Sequence, residues 1–254
     1  MPNQTWRTVS REAGLSSTGQ GADPRPDPAG NAGPTHAAEA SEARTGYQRI
    51  AQLAQSLGLC LSPEQQTLLL QYLALLARWN GTYNLSAVRE PEAMWTQHLA
   101  DCLAVLPALD RRLAQGRVLD VGSGGGLPGV LIAATRPALD VTCIDTVGKK
   151  AAFLRQVAAS LPLPNLHGVH GRVEQQTLPP FDLITARAFA TLADFTRLSR
   201  KLLKPEGIWM ALKGKEPHDE IAALPRDIEV FHVEQLVVPG LSAARCLVWM
   251  RQNP

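Results

Sequence analysis

The stretch VLDVGSGGGLPG, Val118 to Gly129, sets an acid and a cluster of glycines directly after a short apolar run. Glycines placed there let the backbone approach a ligand closely, beside the N-terminus of the next helix. Three chemistries compete for such a turn. A P-loop needs a lysine after its last glycine, and Val130 follows Gly129, which excludes it. A dinucleotide fingerprint, G-x-G-x-x-G, fits Gly124, Gly126 and Gly129. It fails from Gly122, the first glycine after the strand, because Leu127 takes the third position. An S-adenosylmethionine turn, written as an acid, one residue and G-x-G-x-G, fits Asp120, Gly122, Gly124 and Gly126 in register with the strand end. Asp145 closes the next apolar run, VTCID, where a carboxylate accepts both hydroxyls of a ribose. That acid serves nicotinamide and S-adenosylmethionine ligands alike. Asp120 favours the second, since a carboxylate beside the turn suits a sulfonium and repels a pyrophosphate.

These residues converge only if parallel strands carry them to one end of a sheet. From Gly116 onward, short β-rich runs (RVLDV, DVTCID, NLHGVHG, FDLITARA, GIWMALKG) alternate with helical stretches, the pattern of βαβ units with helices on both faces. IEVFHVEQLVV and ARCLVWMRQ follow with a Pro239-Gly240 turn and no helix between them, which predicts an antiparallel hairpin closing one edge. The expected fold is α/β, a Rossmann-like, mostly parallel seven-stranded sheet over residues 116–254.

Residues 47–115 read as a helical cap. Ile50, Leu53, Ala54 and Leu57 fall at helical spacing before Gly58. Ser62, Pro63 and Gln65 then form a capping box, and the next helix shows a face of Leu69, Leu70, Leu73, Leu76 and Ala77 before a break at Asn80-Gly81. A third helix from Pro91 carries Met94, Trp95, His98, Leu99, Cys102 and Leu103. His98 and Asp101 lie three apart on it and are expected to pair, in the site or as a structural pair. Residues 1–46, with Met1, Trp6, Val9 and Leu15 as their only large apolar side chains, read as a disordered tail or the product of a misplaced start codon.

The 254 residues are 45% hydrophobic and 19% charged, enough for a sizeable core. A net charge of +2 permits a nucleic-acid partner without demanding one. Cys60, Cys102, Cys143 and Cys246 form no C-x-x-C pair and read as buried thiols in a reducing, cytoplasmic compartment. No membrane span, membrane partner or metal is expected, and a monomer is.

RWNGTYNLSAVRE, HLADC, VLDVGSGGGLPGVLIA, GKKAAFLRQV, GRVE, ARAFA and ALKGK stand in the order and spacing of the RsmG (GidB) family of bacterial ribosomal RNA methyltransferases. The chain resembles that family from about residue 47 to its end. The resemblance implies transfer of methyl from S-adenosylmethionine to N7 of a guanine in 16S rRNA, on naked RNA or an assembled small subunit. It implies cofactor contacts at Gly122, Leu127, Val173, Glu174 and Arg187, to which the ribose argument adds Asp145. Ser123 and Gly125 stand where other members often have Thr and Pro. Guanine N7 carries a lone pair and no proton, so no general base is expected. Arg187 would hold the cofactor carboxylate or position the nucleotide, the bland alternative being a surface ion pair. Lys149, Lys150 and Arg155, with Lys213 and Lys215, are candidates for RNA phosphate, the alternative being a solvated helix face. Few exposed aromatics are expected to offer a base-stacking platform. The rival functions are a nicotinamide-dependent oxidoreductase and a catalytically silent RNA-binding or assembly protein.

Overall fold

The computed structural model describes residues 36–189 and 191–253. Most of the expected tail, residues 1–35, lies outside the described residues. Helix α1 (His36–Ser56) begins ahead of Tyr47, so residues 36–46, expected to belong to the tail, are helical. The segment AAEASEAR is rich in strong helix formers and contains no proline, so its local propensity favours the helix.

The capping box forms as expected. Gln65 N donates to Ser62 Oγ at 3.3 Å and Gln65 Oε1 accepts from Ser62 N at 2.9 Å, opening α2 (Pro63–Tyr83). This helix runs through Asn80-Gly81 and ends at Asn84, whose φ of 51° is left-handed. Asn80 does not break the helix because its buried amide is anchored at both ends: Nδ2 donates to Val88 O and Oδ1 accepts from Ser86 N, both at 2.8 Å. The inward face of α2 holds Tyr72 and Asn80, whereas Ala77 is exposed. Next, α3 (Pro91–Met94), a π turn (Trp95–Ala100) and α4 (Asp101–Leu103) run end to end, followed by α5 (Leu106–Asp110). Cys60, in the α1–α2 link, is exposed, while Cys102, Cys143 and Cys246 are buried.

Seven strands form one sheet: β1 (Gly116–Val121), β2 (Leu139–Asp145), β3 (Leu166–His170), β4 (Phe181–Arg187), β5 (Leu203–Lys213), β6 (Ile228–Leu236) and β7 (Arg245–Gln252). Their order is β3-β2-β1-β4-β5-β7-β6. The first five pair in parallel, and β7 inserts antiparallel between β5 and β6. Alternation along each strand splits the core. Val118, Val141, Cys143, Leu183 and Met210 face a cluster built with the cap, α6 (Gly129–Thr135) and α7 (Gly148–Ser160). Leu119, Val121, Ile144, Ile184 and Trp209 face the opposite cluster, which includes Leu192 and Phe195 of α8 (Leu192–Ser199). A short α9 (His218–Ala222) follows β5. The connections after β1 and β4 leave in opposite directions, so a crevice opens between the carboxyl ends of these adjacent strands. No described helix is long and apolar enough to cross a membrane.

Candidate active site

The glycine loop after β1 is left-handed at Gly122, Gly124 and Gly126, with φ of 69°, 59° and 92°. At Gly129 the requirement is space: a Cβ there would stand 2.3 Å from Cys143 Sγ and 2.9 Å from Asp120 Oδ2. Helix α6 therefore starts pressed against β1 and β2, and all seven of its residues are buried.

Asp120 occupies a place its sequence position did not reveal. It lies under the loop, completely buried, with Oδ2 accepting from Gly129 N at 2.9 Å and Oδ1 without a partner among the described residues. Burial pushes its pKa up to about 6 against the pull of the Gly129 N–H. Its role is to hold the start of α6, and it does not line the crevice beside the turn.

Asp145 also braces the loop: Oδ2 accepts from Gly124 N at 2.9 Å and Oδ1 from Val147 N at 2.8 Å. From the other side, Tyr72 Oη donates to Gly125 O at 2.7 Å, fully buried in the cap. Two strand-end carboxylates and one cap hydroxyl thus fix the loop backbone.

Two cavities flank this loop and share Gly122 and Phe189. The smaller, about 350 Å³, is lined by Ile144, Asp145, Val147, Lys150, Val173 and Glu174. The larger, about 510 Å³, is lined by the loop through Leu127, by Arg187, and by cap residues including Leu76, Ser86, His98 and Asp101. Every expected cofactor residue therefore lines one of the two chambers. A Cβ on Gly122 would meet only the Phe189 ring, 3.6 Å away, so its absence keeps the dividing wall thin.

In the larger cavity, His98 and Asp101 do not pair with each other. Asp101, only 4% exposed, receives Arg187 Nη1 on Oδ2 at 3.4 Å and Arg245 Nε on Oδ1 at 2.9 Å. Arg187 also donates to Gln97 O at 2.9 Å. One carboxylate thus faces two guanidiniums, leaving the wall cationic. His98 Nε2 instead meets Ser86 Oγ at 2.8 Å, and burial, followed by the Arg187 charge, pushes the imidazole pKa down. After Arg187 the chain turns through Ala188, whose φ of 58° is costly for a residue with a Cβ, and this turn leads into Phe189 at the junction of the cavities.

Residues 65–248 match the family model for GidB, rRNA small subunit methyltransferase G. The chain belongs to the GidB family. Among relatives named ribosomal RNA small subunit methyltransferase G, that of Acidovorax sp. (strain JS42) is 59% identical over 209 residues, covering 78% of this chain and 92% of the relative. That of Leptothrix cholodnii is 60% identical over 200 residues, with 78% and 92% covered. The solved structure of the glycopeptide N-methyltransferase MtfA complexed with S-adenosylmethionine aligns with 61% of this chain and 94% of its own, at a TM-score of 0.51 and 13% identity. It shares the fold.

The GidB-family chain distributes its candidate RNA contacts unevenly. Lys149 and Lys150 stand at the start of α7, near the crevice, with Lys150 on the smaller cavity. Arg155 does not reach the carboxyl-end face: its backbone packs beside Gly168, mid-strand in β3, because α7 runs back along the sheet. Lys213 lines the larger cavity but spends its ammonium on both oxygens of Glu220, at 2.9 and 2.8 Å. Lys215 is exposed just beyond β5. An aromatic surface exists as well. Tyr83 is exposed and stacks on Trp79 at 5.0 Å, which leans on Phe153 of α7 at 5.5 Å. Sequence reasoning overlooked Tyr72, Ser86, Phe189 and Arg245. Tyr72 carried a signal, a polar-tipped aromatic on the leucine face of α2. Arg245 carried none, since its partner lies 144 residues away.

Proposed function

We propose that the protein transfers the methyl group of S-adenosylmethionine to N7 of a guanine in 16S rRNA. The observation that carries this reading is the two-chambered crevice, divided by the glycine loop, within a chain of the GidB family. Bound there, S-adenosylmethionine supplies an electrophilic methyl on a sulfonium. The smaller chamber suits its adenosine half: Ile144, Val147 and Val173 offer apolar surface, and each Asp145 oxygen keeps a lone pair beyond its backbone bond for a ribose hydroxyl. Glu174 lines the same chamber. Arg187, with donors beyond those given to Gln97 and Asp101, suits a carboxylate at the other end.

Guanine N7 needs no deprotonation. The residues have only to orient the base and exclude water, and Leu76, Leu85, Leu127 and Leu212 supply the dry lining. The cationic Arg187–Asp101–Arg245 wall attracts the RNA backbone, and Lys149, Lys150 and Lys215 extend that field toward solvent.

The test is methylation of 16S rRNA and of whole small subunits with labelled S-adenosylmethionine, followed by borohydride and aniline cleavage. Incorporation with cleavage at one guanine is expected on at least one substrate. Incorporation without cleavage would move the methyl to another atom, and no incorporation on either would leave the silent RNA-binding reading. Calorimetry adds a second arm, in which binding of NADH in place of S-adenosylmethionine would point to the oxidoreductase.

A further inference from the structure

Two aromatic residues are exposed among the described residues, Tyr47 and Tyr83. Tyr47 Oη meets the Thr67 hydroxyl at 2.9 Å near the start of α2, and Tyr83 is the last residue of that helix. The direction of α2 decides which of them can serve the crevice. Gln65 Nε2 donates to Thr135 O at 2.9 Å, at the end of α6 farthest from the glycine loop, whereas a Cβ on Gly125 would stand 3.0 Å from Leu76 Cδ1. The helix therefore climbs toward the carboxyl-end face and reaches the loop at Leu76. Tyr83, roughly two turns further on, stands about 10 Å beyond it along the axis. Leu85, Ser86 and Val88 then line the larger cavity, so the chain passes from Tyr83 directly into the wall of that cavity.

Tyr83 is 44% exposed, and what backs it is firm. Its ring leans on Trp79, 5.0 Å between centroids, and Trp79 leans at 5.5 Å on the fully buried Phe153 of α7. The charges around it are of one sign. From Gln65 to Arg89 the chain contains Arg78 and Arg89 and no acid, and α7 contains Lys149, Lys150 and Arg155 and no acid. Lys149 lies one turn before Phe153 on the same face of α7. Arg89 Nη2 donates to Oδ1 of Asn84, the neighbour of Tyr83. A braced, exposed aromatic ring among cations matches a base with its phosphates, because every base offers a π face and the backbone offers the charge.

We propose that Tyr83 stacks on a base next to the guanine that enters the crevice, while Lys149 and Arg89 hold the adjoining phosphates. This rests on the 16S rRNA reading above. The contact supplies affinity for RNA, through the face of the ring and without its hydroxyl.

The experiment uses the full chain, S-adenosylmethionine, and 16S rRNA rebuilt by ligation with an abasic nucleotide on one or the other side of the guanine that aniline cleavage identifies. RNA affinity and methylation are both measured. Tyr83→Ala should weaken RNA binding and raise the KM for RNA by about tenfold, the worth of one stacked base, with S-adenosylmethionine affinity and kcat unchanged. Tyr83→Phe should stay close to wild type. At one of the two abasic positions wild type and Tyr83→Ala should converge, as a pair does once its partner is gone. Lys149→Ala should lower the slope of log affinity against log salt concentration by about one, and an unchanged slope would overturn the phosphate contact. Unchanged RNA affinity in Tyr83→Ala, an equal loss in Tyr83→Phe, or a fall in cofactor affinity would overturn the stacking. So would a loss that persists on both abasic RNAs, or one seen on whole subunits alone, which would set Tyr83 against a ribosomal protein. RNA methylated as before by the Tyr83 variants defeats only the platform. RNA bound, weakened by Tyr83→Ala and never methylated defeats only the proposed function, and no RNA binding defeats both.

Discussion

Replacing Asp120 with asparagine tests the physics beneath the loop. The folded-state pKa of about 6 lies above the ordinary 3.8, so the charged form is disfavoured in the folded protein. The resulting cost to folding is full above pH 6 and fades as pH falls toward 3.8. At about 1.4 kcal/mol per pH unit, the whole gap is worth about 3 kcal/mol. Asp120→Asn retains an oxygen for the Gly129 N–H and places an amide where Oδ1 has no partner, a cost independent of pH. The difference in unfolding free energy between variant and wild type should therefore move by about 2 kcal/mol, against the variant, between about pH 7.5 and about pH 4.5. Urea unfolding at both pH values, followed through buried Trp209 and Trp249, measures this directly. Histidines and exposed acids titrate in both proteins and cancel in the difference. A difference that stays constant with pH would refute the assignment of a raised pKa to Asp120.

Other perturbations reach the same loop. Tyr72→Phe leaves the Gly125 carbonyl without its donor and should weaken S-adenosylmethionine binding several-fold while costing about 1 kcal/mol of stability, read by calorimetry and thermal unfolding. Gly129→Ala puts a methyl 2.3 Å from Cys143 Sγ in a fully packed corner and should destabilise the protein by about 1–3 kcal/mol, measured by urea unfolding. Asp145→Ala removes acceptors from Gly124 and Val147 and should weaken cofactor binding by about 2 kcal/mol, so an unchanged dissociation constant would take Asp145 out of the site.

The strands, the glycine turn and the capping box were legible in the sequence because each is written in neighbouring residues. VLDV followed by glycines needs no distant partner to be read as strand and turn. Asp120 shows the limit: its position before Gly122 suggested an acid facing the ligand, yet which side of a strand is covered depends on α6 and on Cys143 of the next strand. Asn80 misled for a related reason, since a turn-forming residue was held in a helix by a loop that returns to its side chain. The insertion of β7 beside β5 was equally invisible, because hairpin signals fix the partner strand and leave open which of the two joins the sheet. Asp101 was expected on its neighbour His98 and is held instead by β4 and β7.

The bond from Tyr72 to the Gly125 carbonyl has a consequence for how such a protein diversifies. The line at residue 116 separates two patterns of sequence, but Leu76 and Tyr72 share a core cluster with Leu127 and Val130. Exchanging the cap for another, to redirect the protein to a different RNA, would also remove a strut of the cofactor loop. Changes that retune what enters the crevice must therefore keep a donor at Tyr72, or lose grip on the methyl source as they gain a new target.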